Sequence, residues 1–126
     1  MVDNRELINI FYFDYKGLNS IMSEKMRYQL IDTHIHLNSS IYAVDLPALL
    51  NAAIAQGIDR WILPSTELAD IPRQIKISQQ FNGVLNGFGI HPWFTEGLTD
   101  DWLSVLETSI ELHHPVAIGE CGLDFS

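Results

Sequence analysis

Two histidines separated by one residue close an apolar run at residues 31–37, which read Ile-Asp-Thr-His-Ile-His-Leu. In an extended strand successive side chains alternate between the two faces, so His34 and His36 are expected to point the same way. Neutral imidazole nitrogens bind zinc, manganese and iron, and such ions activate water for hydrolysis near neutral pH. A single His-x-His pair is common by chance, but its place at the end of a strand pattern predicts a metal site.

Acidic residues at a later strand end strengthen this prediction. Residues 117–124 read Ala-Ile-Gly-Glu-Cys-Gly-Leu-Asp, and Glu120 could supply a third metal ligand beside the two imidazoles. We expect Asp32 and Asp124 not to bind the metal directly but to orient the side chains that do, as carboxylates next to metal ligands often do. His91, in the segment Gly-Ile-His-Pro-Trp, follows another strand pattern. It could contact substrate or simply hydrogen-bond within a proline-fixed turn.

The elements that must position these residues alternate between strand and helix patterns. Asp45 is expected to cap a helix that ends at Gly57, and Thr99 to begin a later helix with acidic residues in its first turn. The inward faces of the second and third helices are predicted at Ile71, Ile75, Ser78 and Phe81, and at Trp102, Leu103, Leu106 and Ile110. The strands are predicted at 28–34, 58–63, 84–90 and 115–119.

Four strands alternating with three helices predict an α/β fold of parallel βα repeats. The pattern alone fits either an open doubly wound sheet or the first half of a (β/α)8 barrel. His34 and His36, His91, and Glu120 with Asp124 all follow the carboxyl ends of strands. Both architectures place ligands at that edge, so the positions of these residues predict one shared site without choosing between the folds.

Composition limits the classes of function. The 126 residues are 47% hydrophobic and 18% charged, as in a packed globular domain. A formal net charge of −9 argues against a nucleic-acid-binding module, which needs clustered lysine and arginine, more than against a nuclease that neutralises phosphates with cations. The single cysteine, Cys121, fits a reducing cytoplasm, and no apolar run is long enough to predict a membrane partner.

Residues 1–28 differ in pattern from the rest. An aromatic, β-prone segment at 8–15 is followed by a turn signal at 16–20, and the strand pattern restarts at Tyr28 or Gln29. We therefore predict an N-terminal extension of uncertain structure over 1–28 and a partial barrel domain over 29–126. Residues 1–25 could lie outside the native fold, with Met26 as the first residue, or they could pack on the domain as an extra strand or short helix.

The three motifs at 31–37, 89–93 and 118–124, in this order, resemble those of the TatD family of metal-dependent deoxyribonucleases, within the wider group of amidohydrolase-like barrels. The resemblance covers residues 29–126. It implies a (β/α)8 TIM-type barrel with a divalent centre, usually of two ions (zinc, manganese or magnesium), that hydrolyses phosphodiester bonds of DNA, commonly from a 3′ end. It also implies that His34 and His36 bind the first ion, that Glu120 bridges both, and that His91 lies near the substrate phosphate.

The same resemblance implies two further histidines and an aspartate on later strands, and a complete barrel needs about 250 residues. We therefore expect a truncated half-barrel whose first and fourth strands are unpaired edges, with weak or no nuclease activity. DNA or another phosphoester is the expected partner. The alternatives are a different amidohydrolase-like metal hydrolase, or a non-catalytic remnant that serves as an interaction module.

Overall fold

A single five-stranded sheet organises the chain in the computed structural model, which describes residues 10–11 and 29–125. The strands follow one another across the sheet in chain order. The last four are parallel and curl into a half-barrel. The strands are β1 (Ile10–Phe11), β2 (Leu30–Asp32), β3 (Ile58–Pro64), β4 (Val84–Phe88) and β5 (Ala117–Ile118). This topology confirms the predicted parallel βα repeats.

Three α-helices connect the parallel strands: α1 (Leu46–Ala55), α2 (Ile71–Gln80) and α3 (Trp102–His113). The Asp45 side chain accepts a hydrogen bond from the Ala48 N–H and caps α1 as predicted, with Pro47 in the first turn. Gly57 follows the helix with a φ of 97°, the left-handed conformation that glycine adopts without steric strain.

The apolar core lies between the sheet and the helices and has two parts. Leu63 and Trp61 of β3 are buried in the first part, together with side chains from α1, α2 and the loop after β2. Phe88 of β4 is fully buried in the second part, against Ile71 of α2 and Leu106 of α3. Every parallel strand packs on this core or pairs with a neighbouring strand. The loops that follow the strands therefore start from well-defined positions at the carboxyl edge of the sheet.

The predicted helix faces are partly wrong. Trp102, Leu106 and Ile110 form the inward stripe of α3, but Leu103 is 49% exposed because the helix packs on one side only and buries a narrow stripe. α3 also begins at Trp102, one turn after the predicted start at Thr99. In α2 the buried residues are Ile71, Gln74 and Ile77, so a polar side chain takes a place that the apolar pattern did not predict.

The first parallel strand, β2, is paired on both sides, although the sequence predicted it as a free edge of the sheet. Ile10 and Phe11 pair antiparallel with Asp32 and Ile31, so the first barrel strand is not an unpaired edge, contrary to expectation. Within the described part of the chain β5 does form an edge, paired with β4 alone. The proposed start at Met26 and most of the predicted extension fall outside the described residues. None of the three helices has the length and hydropathy needed to span a bilayer.

Candidate metal centre

The segment after β2 brings His34 and His36 to one side. β2 ends at Asp32, earlier than predicted, because the Asp32 carboxylate accepts a hydrogen bond from the His34 backbone N–H at 3.1 Å. The chain nevertheless stays beside β3, since the Ile35 N–H donates to the Ile62 carbonyl at 3.2 Å. Ile35 packs on the core, and the two histidines on either side of it are directed away from it, with ring centroids 5.1 Å apart.

Glu120 comes from the segment after β5, at the opposite edge of the parallel strands from β2, and its side chain reaches His34 and His36. It follows β5 and Gly119, whose N–H donates to the Phe88 carbonyl and extends the pairing with β4. Glu120 has a φ of 52°, a left-handed conformation that costs a non-glycine residue about 1–2 kcal/mol. The turn directs the carboxylate back across the strand ends toward His34, and only 13% of this side chain is exposed.

Three ligand atoms from two distant segments therefore converge. His34, His36 and Glu120 each place one donor atom within 4.8 Å of the other two. The His34 Nε2 lies 2.7 Å from Glu120 Oε1, and the His36 Nε2 lies 3.5 Å from the same oxygen. This grouping is the arrangement that the sequence motifs predicted, although its use as a metal site remains a proposal.

The donor set fits a divalent cation. Two ligands bound tetrahedrally at 2.0–2.1 Å lie about 3.4 Å from each other, close to the His36–Glu120 separation. The shorter His34–Glu120 contact has hydrogen-bond length, and those two atoms would need to separate by less than about 1 Å to share an ion. Two imidazoles and a carboxylate suit zinc or manganese, and they leave further positions for water or substrate.

His91 lies beside this cluster in a different role. Its Nε2 is 3.9 Å from Glu120 Oε2, and its Nδ1 accepts a hydrogen bond from the Trp93 backbone N–H at 3.1 Å. Because Nδ1 is the acceptor, the neutral ring carries its proton on Nε2, on the side that faces the site. His91 therefore presents an N–H donor next to the three potential ligands, and it also fixes its own turn. The predicted hydrogen bond within the turn is present, and contact with a substrate stays a prediction.

The two supporting carboxylates occupy separate positions. Asp32 holds the turn that carries His34, as described above. Asp124 accepts a hydrogen bond from the indole N–H of Trp93 and so connects the segment after β5 with the turn after β4. Neither carboxylate belongs to the group of three potential ligands within the described chain.

Sequence analysis missed a polar framework beneath the site. The buried Ser65 hydroxyl donates to the Gly89 carbonyl and accepts from the Gly89 N–H, both at 2.8 Å, which continues the β3–β4 pairing up to His91. Asp70 accepts from the Thr66 backbone and hydroxyl groups and from the Asn38 side-chain amide. The available signal was Asp70 three residues after Glu67, a spacing typical of a capping box, which the structure contains.

The rim of the site has no basic side chain among the described residues. The segments that follow β2, β3, β4 and β5 and form this rim contain no lysine or arginine; the described basic residues are Arg60 of β3 and Arg73 and Lys76 of α2. A polyanion approaching this rim would therefore find no fixed cation supplied by these side chains.

A protein-family model, that of TatD related DNase, matches residues 31–126. A curated relative is the metal-dependent hydrolase YjjV of Escherichia coli K12, which is 31% identical over 98 residues that make up 76% of this chain and 38% of the relative. The 3′-5′ ssDNA/RNA exonuclease TatD of Enterobacter lignolyticus is 29% identical over 97 residues, 77% of this chain and 37% of that protein.

Comparison with solved structures agrees. The crystal structure of E. coli YjjV superposes with a TM-score of 0.69 and 32% sequence identity, over 76% of this chain and 38% of that one. The parallel strands and helices thus match the N-terminal half of a TatD-type barrel. The chain spans less than two-fifths of the length of these relatives.

Proposed function

The chain belongs to the TatD-related DNase family, and from that membership we propose that it is a metal-dependent hydrolase of phosphodiester bonds in DNA. The observation that carries the proposal is the convergence of His34, His36 and Glu120 within 4.8 Å. None of these three side chains is part of the apolar core. Packing therefore does not explain an imidazole or a carboxylate at these loop positions.

We propose that His34, His36 and Glu120 hold the first cation, which can be zinc, manganese or magnesium. When bound, the cation would supply Lewis acidity that activates water and neutralises charge on phosphate oxygens. Glu120 would also help to hold a second cation, as the family resemblance implies. The two histidine contacts are to Oε1, so Oε2 faces a different side of the site, toward His91.

His91 is proposed to bind the substrate phosphate. Its Nε2–H is directed into the site, because Nδ1 is engaged by the Trp93 backbone N–H. A fixed donor at this point can hydrogen-bond a non-bridging oxygen and favour one orientation of the phosphodiester. Asp32 and Asp124 are proposed to keep the turns carrying His34 and Trp93 in register.

The level of activity is a separate proposal. The chain spans 38% of YjjV, and the family resemblance implies further metal ligands that the three motifs do not supply. We therefore propose that this chain alone cleaves DNA weakly or not at all, while it still binds a cation. A cytoplasmic location is proposed as well, because the exposed Cys121 thiol is best preserved in a reducing compartment.

Metal titration tests the first part of the proposal. We expect Zn²⁺ or Mn²⁺, added to the full chain in a calorimeter, to bind at least about tenfold more weakly to His34→Ala and to Glu120→Gln than to the parent. His114→Asn is the matched control, because His114 is exposed at the end of α3 and asparagine tolerates its left-handed backbone. Equal affinities in the parent and both site variants would contradict the proposed ligands.

A substrate panel tests the second part. The panel contains single-stranded DNA, RNA, bis(p-nitrophenyl) phosphate, an aryl ester, an amide and a lactone, each with zinc, manganese or magnesium. Metal-dependent cleavage limited to the phosphodiesters, and reduced by His91→Ala, would support the proposal. Preferred turnover of the ester, amide or lactone would favour another amidohydrolase-like activity. Metal binding without any turnover would agree with the weak or absent cleavage proposed for this chain alone. Absence of both metal binding and turnover would favour the non-catalytic interaction module.

A further inference from the structure

Two exposed aromatic side chains lie next to the candidate metal centre. Trp93 and Phe94 belong to the 3-10 helix Pro92–Phe94, which follows β4 at the carboxyl edge of the sheet. They are 70% and 43% exposed, although a solvent-exposed tryptophan gains nothing from the core. Their rings lie 5.2 and 6.2 Å from the His91 ring, which itself faces Glu120. We refer to Trp93 and Phe94 together as the aromatic platform.

The orientation of the platform is fixed by hydrogen bonds. The Trp93 backbone N–H donates to His91 Nδ1, the Phe94 N–H donates to the His91 carbonyl, and the Trp93 indole N–H donates to Asp124. The polar edge of the indole is therefore satisfied by the protein while most of the side chain remains open to solvent. A rigid, exposed ring of this kind binds a flat ligand with little loss of conformational entropy.

The lack of basic side chains at the rim limits which ligands the aromatic platform can bind. Among the described residues no lysine or arginine lies at this rim, and the whole chain has a net charge of −9. A ligand that contacts both the platform and the metal centre can be held by metal ions at its phosphate and by stacking elsewhere. Unpaired nucleobases stack on aromatic side chains, whereas bases within a duplex are already stacked on each other.

We infer that Trp93 and Phe94 form a stacking site for an unpaired nucleobase of a single-stranded nucleic acid whose phosphate lies at the His91 side of the metal centre. The inference rests on the proposed function and adds how the substrate is recognised. Stacking does not read the sugar, which agrees with the name of the TatD relative, a 3′-5′ ssDNA/RNA exonuclease; the assignment of Trp93 and Phe94 as the residues that stack on the base goes beyond that name.

Binding of labelled oligonucleotides with phosphorothioate linkages, which resist cleavage, is measured by fluorescence anisotropy with Zn²⁺ present and tests the inference. The probes are a dT octamer, an rU octamer, an abasic octamer with the same phosphates, and an eight-base-pair duplex. We expect the parent chain to prefer both octamers with bases over the abasic strand and the duplex. Trp93→Ala should weaken octamer binding roughly 5- to 150-fold, which corresponds to the loss of one stacked base.

Three controls separate the possible failures. Leu112→Ala removes an apolar side chain that is also 70% exposed, but on α3, and should leave oligonucleotide affinity unchanged. Trp93→Phe keeps an aromatic ring without the indole N–H, so its affinity should fall between those of the parent and Trp93→Ala. Zn²⁺ affinity should be the same in the parent and Trp93→Ala, so a failure of the metal site is detected independently of the platform.

Four binding results would overturn the inference. These are no measurable octamer binding by the parent, equal affinity for the abasic strand, unchanged affinity in Trp93→Ala, and a loss in Leu112→Ala as large as that in Trp93→Ala. A concentration-dependent dimer in sedimentation that Trp93→Ala abolishes would also overturn it, because the platform would then join copies of the chain.

Discussion

Replacing Gly89 with alanine should damage both the fold and the metal centre. A Cβ built on Gly89 would lie 1.4 Å from the Gly119 carbonyl oxygen and 2.6 Å from its carbon. The neighbouring atoms are backbone, so no side-chain rotation relieves the overlap. Restoring an ordinary contact of about 3.4 Å requires the segments after β4 and β5 to separate by about 2 Å.

The size of the effect follows from what these segments carry. Gly119 immediately precedes Glu120, and the carboxylate of Glu120 lies 2.7 Å from His34 Nε2. A displacement of about 2 Å would break this contact and lower Zn²⁺ affinity by about 10- to 100-fold, the usual loss when support for a ligand is removed. The free energy of unfolding should fall by about 3 kcal/mol or more, which lowers Tm by more than about 10 °C in a domain of this size.

Gly87→Ala is the matched control. Gly87 lies two residues earlier in β4, and the nearest atoms to an added Cβ are 3.6–3.7 Å away, an ordinary van der Waals distance. We expect this variant to unfold within about 1 kcal/mol of the parent and to keep its Zn²⁺ affinity. Urea denaturation followed by tryptophan fluorescence, together with metal calorimetry, measures both quantities. If Gly89→Ala behaves like Gly87→Ala in both assays, the argument from close approach is refuted.

Three further substitutions test individual contacts by urea denaturation. Gln74→Met should raise the free energy of unfolding by about 1 kcal/mol. The reason is that both polar atoms of the fully buried Gln74 side chain lack a hydrogen-bond partner in the described part of the chain. A lower free energy of unfolding in Gln74→Met would contradict this. Ser65→Ala should lower the free energy of unfolding by about 1–3 kcal/mol, since Gly89 then loses two buried hydrogen bonds; an unchanged midpoint would contradict this. Asp45→Ala should lower the free energy of unfolding by about 1 kcal/mol. Asp45→Asn, which keeps an acceptor for the Ala48 N–H, should leave it unchanged, and equal losses in both variants would rule out capping.

Much of the fold could be predicted because its signals are local. The Asp45 cap, the left-handed Gly57 and the apolar runs of the strands each depend on a few neighbouring residues, and all three features are present. The boundaries were less predictable. β2 stops at Asp32 because a side chain takes the hydrogen bond of the His34 N–H, an event that an apolar pattern does not register.

The grouping of the site residues could be predicted from topology, since parallel strands deliver their carboxyl ends to one edge. Its supporting contacts could not. Ser65 and Gly89 are 24 residues apart, and Asn38 and Asp70 are 32 apart, so no periodicity links them. An extra N-terminal strand was one of the two stated alternatives, but its pairing with β2 was not predicted, because an aromatic, β-prone segment does not specify which strand it joins.

The left-handed backbone at Glu120 has a consequence for how this sequence can vary. Glycine or asparagine would occupy that position with less steric strain, so folding stability alone disfavours glutamate there. The Glu120 carboxylate therefore stands beside the two imidazoles in a backbone conformation that glutamate adopts less readily than glycine. On the proposed role of Glu120 as a metal ligand, Glu120→Gly would relieve this backbone strain and remove the ligand, so the variant should fold more stably and bind Zn²⁺ more weakly.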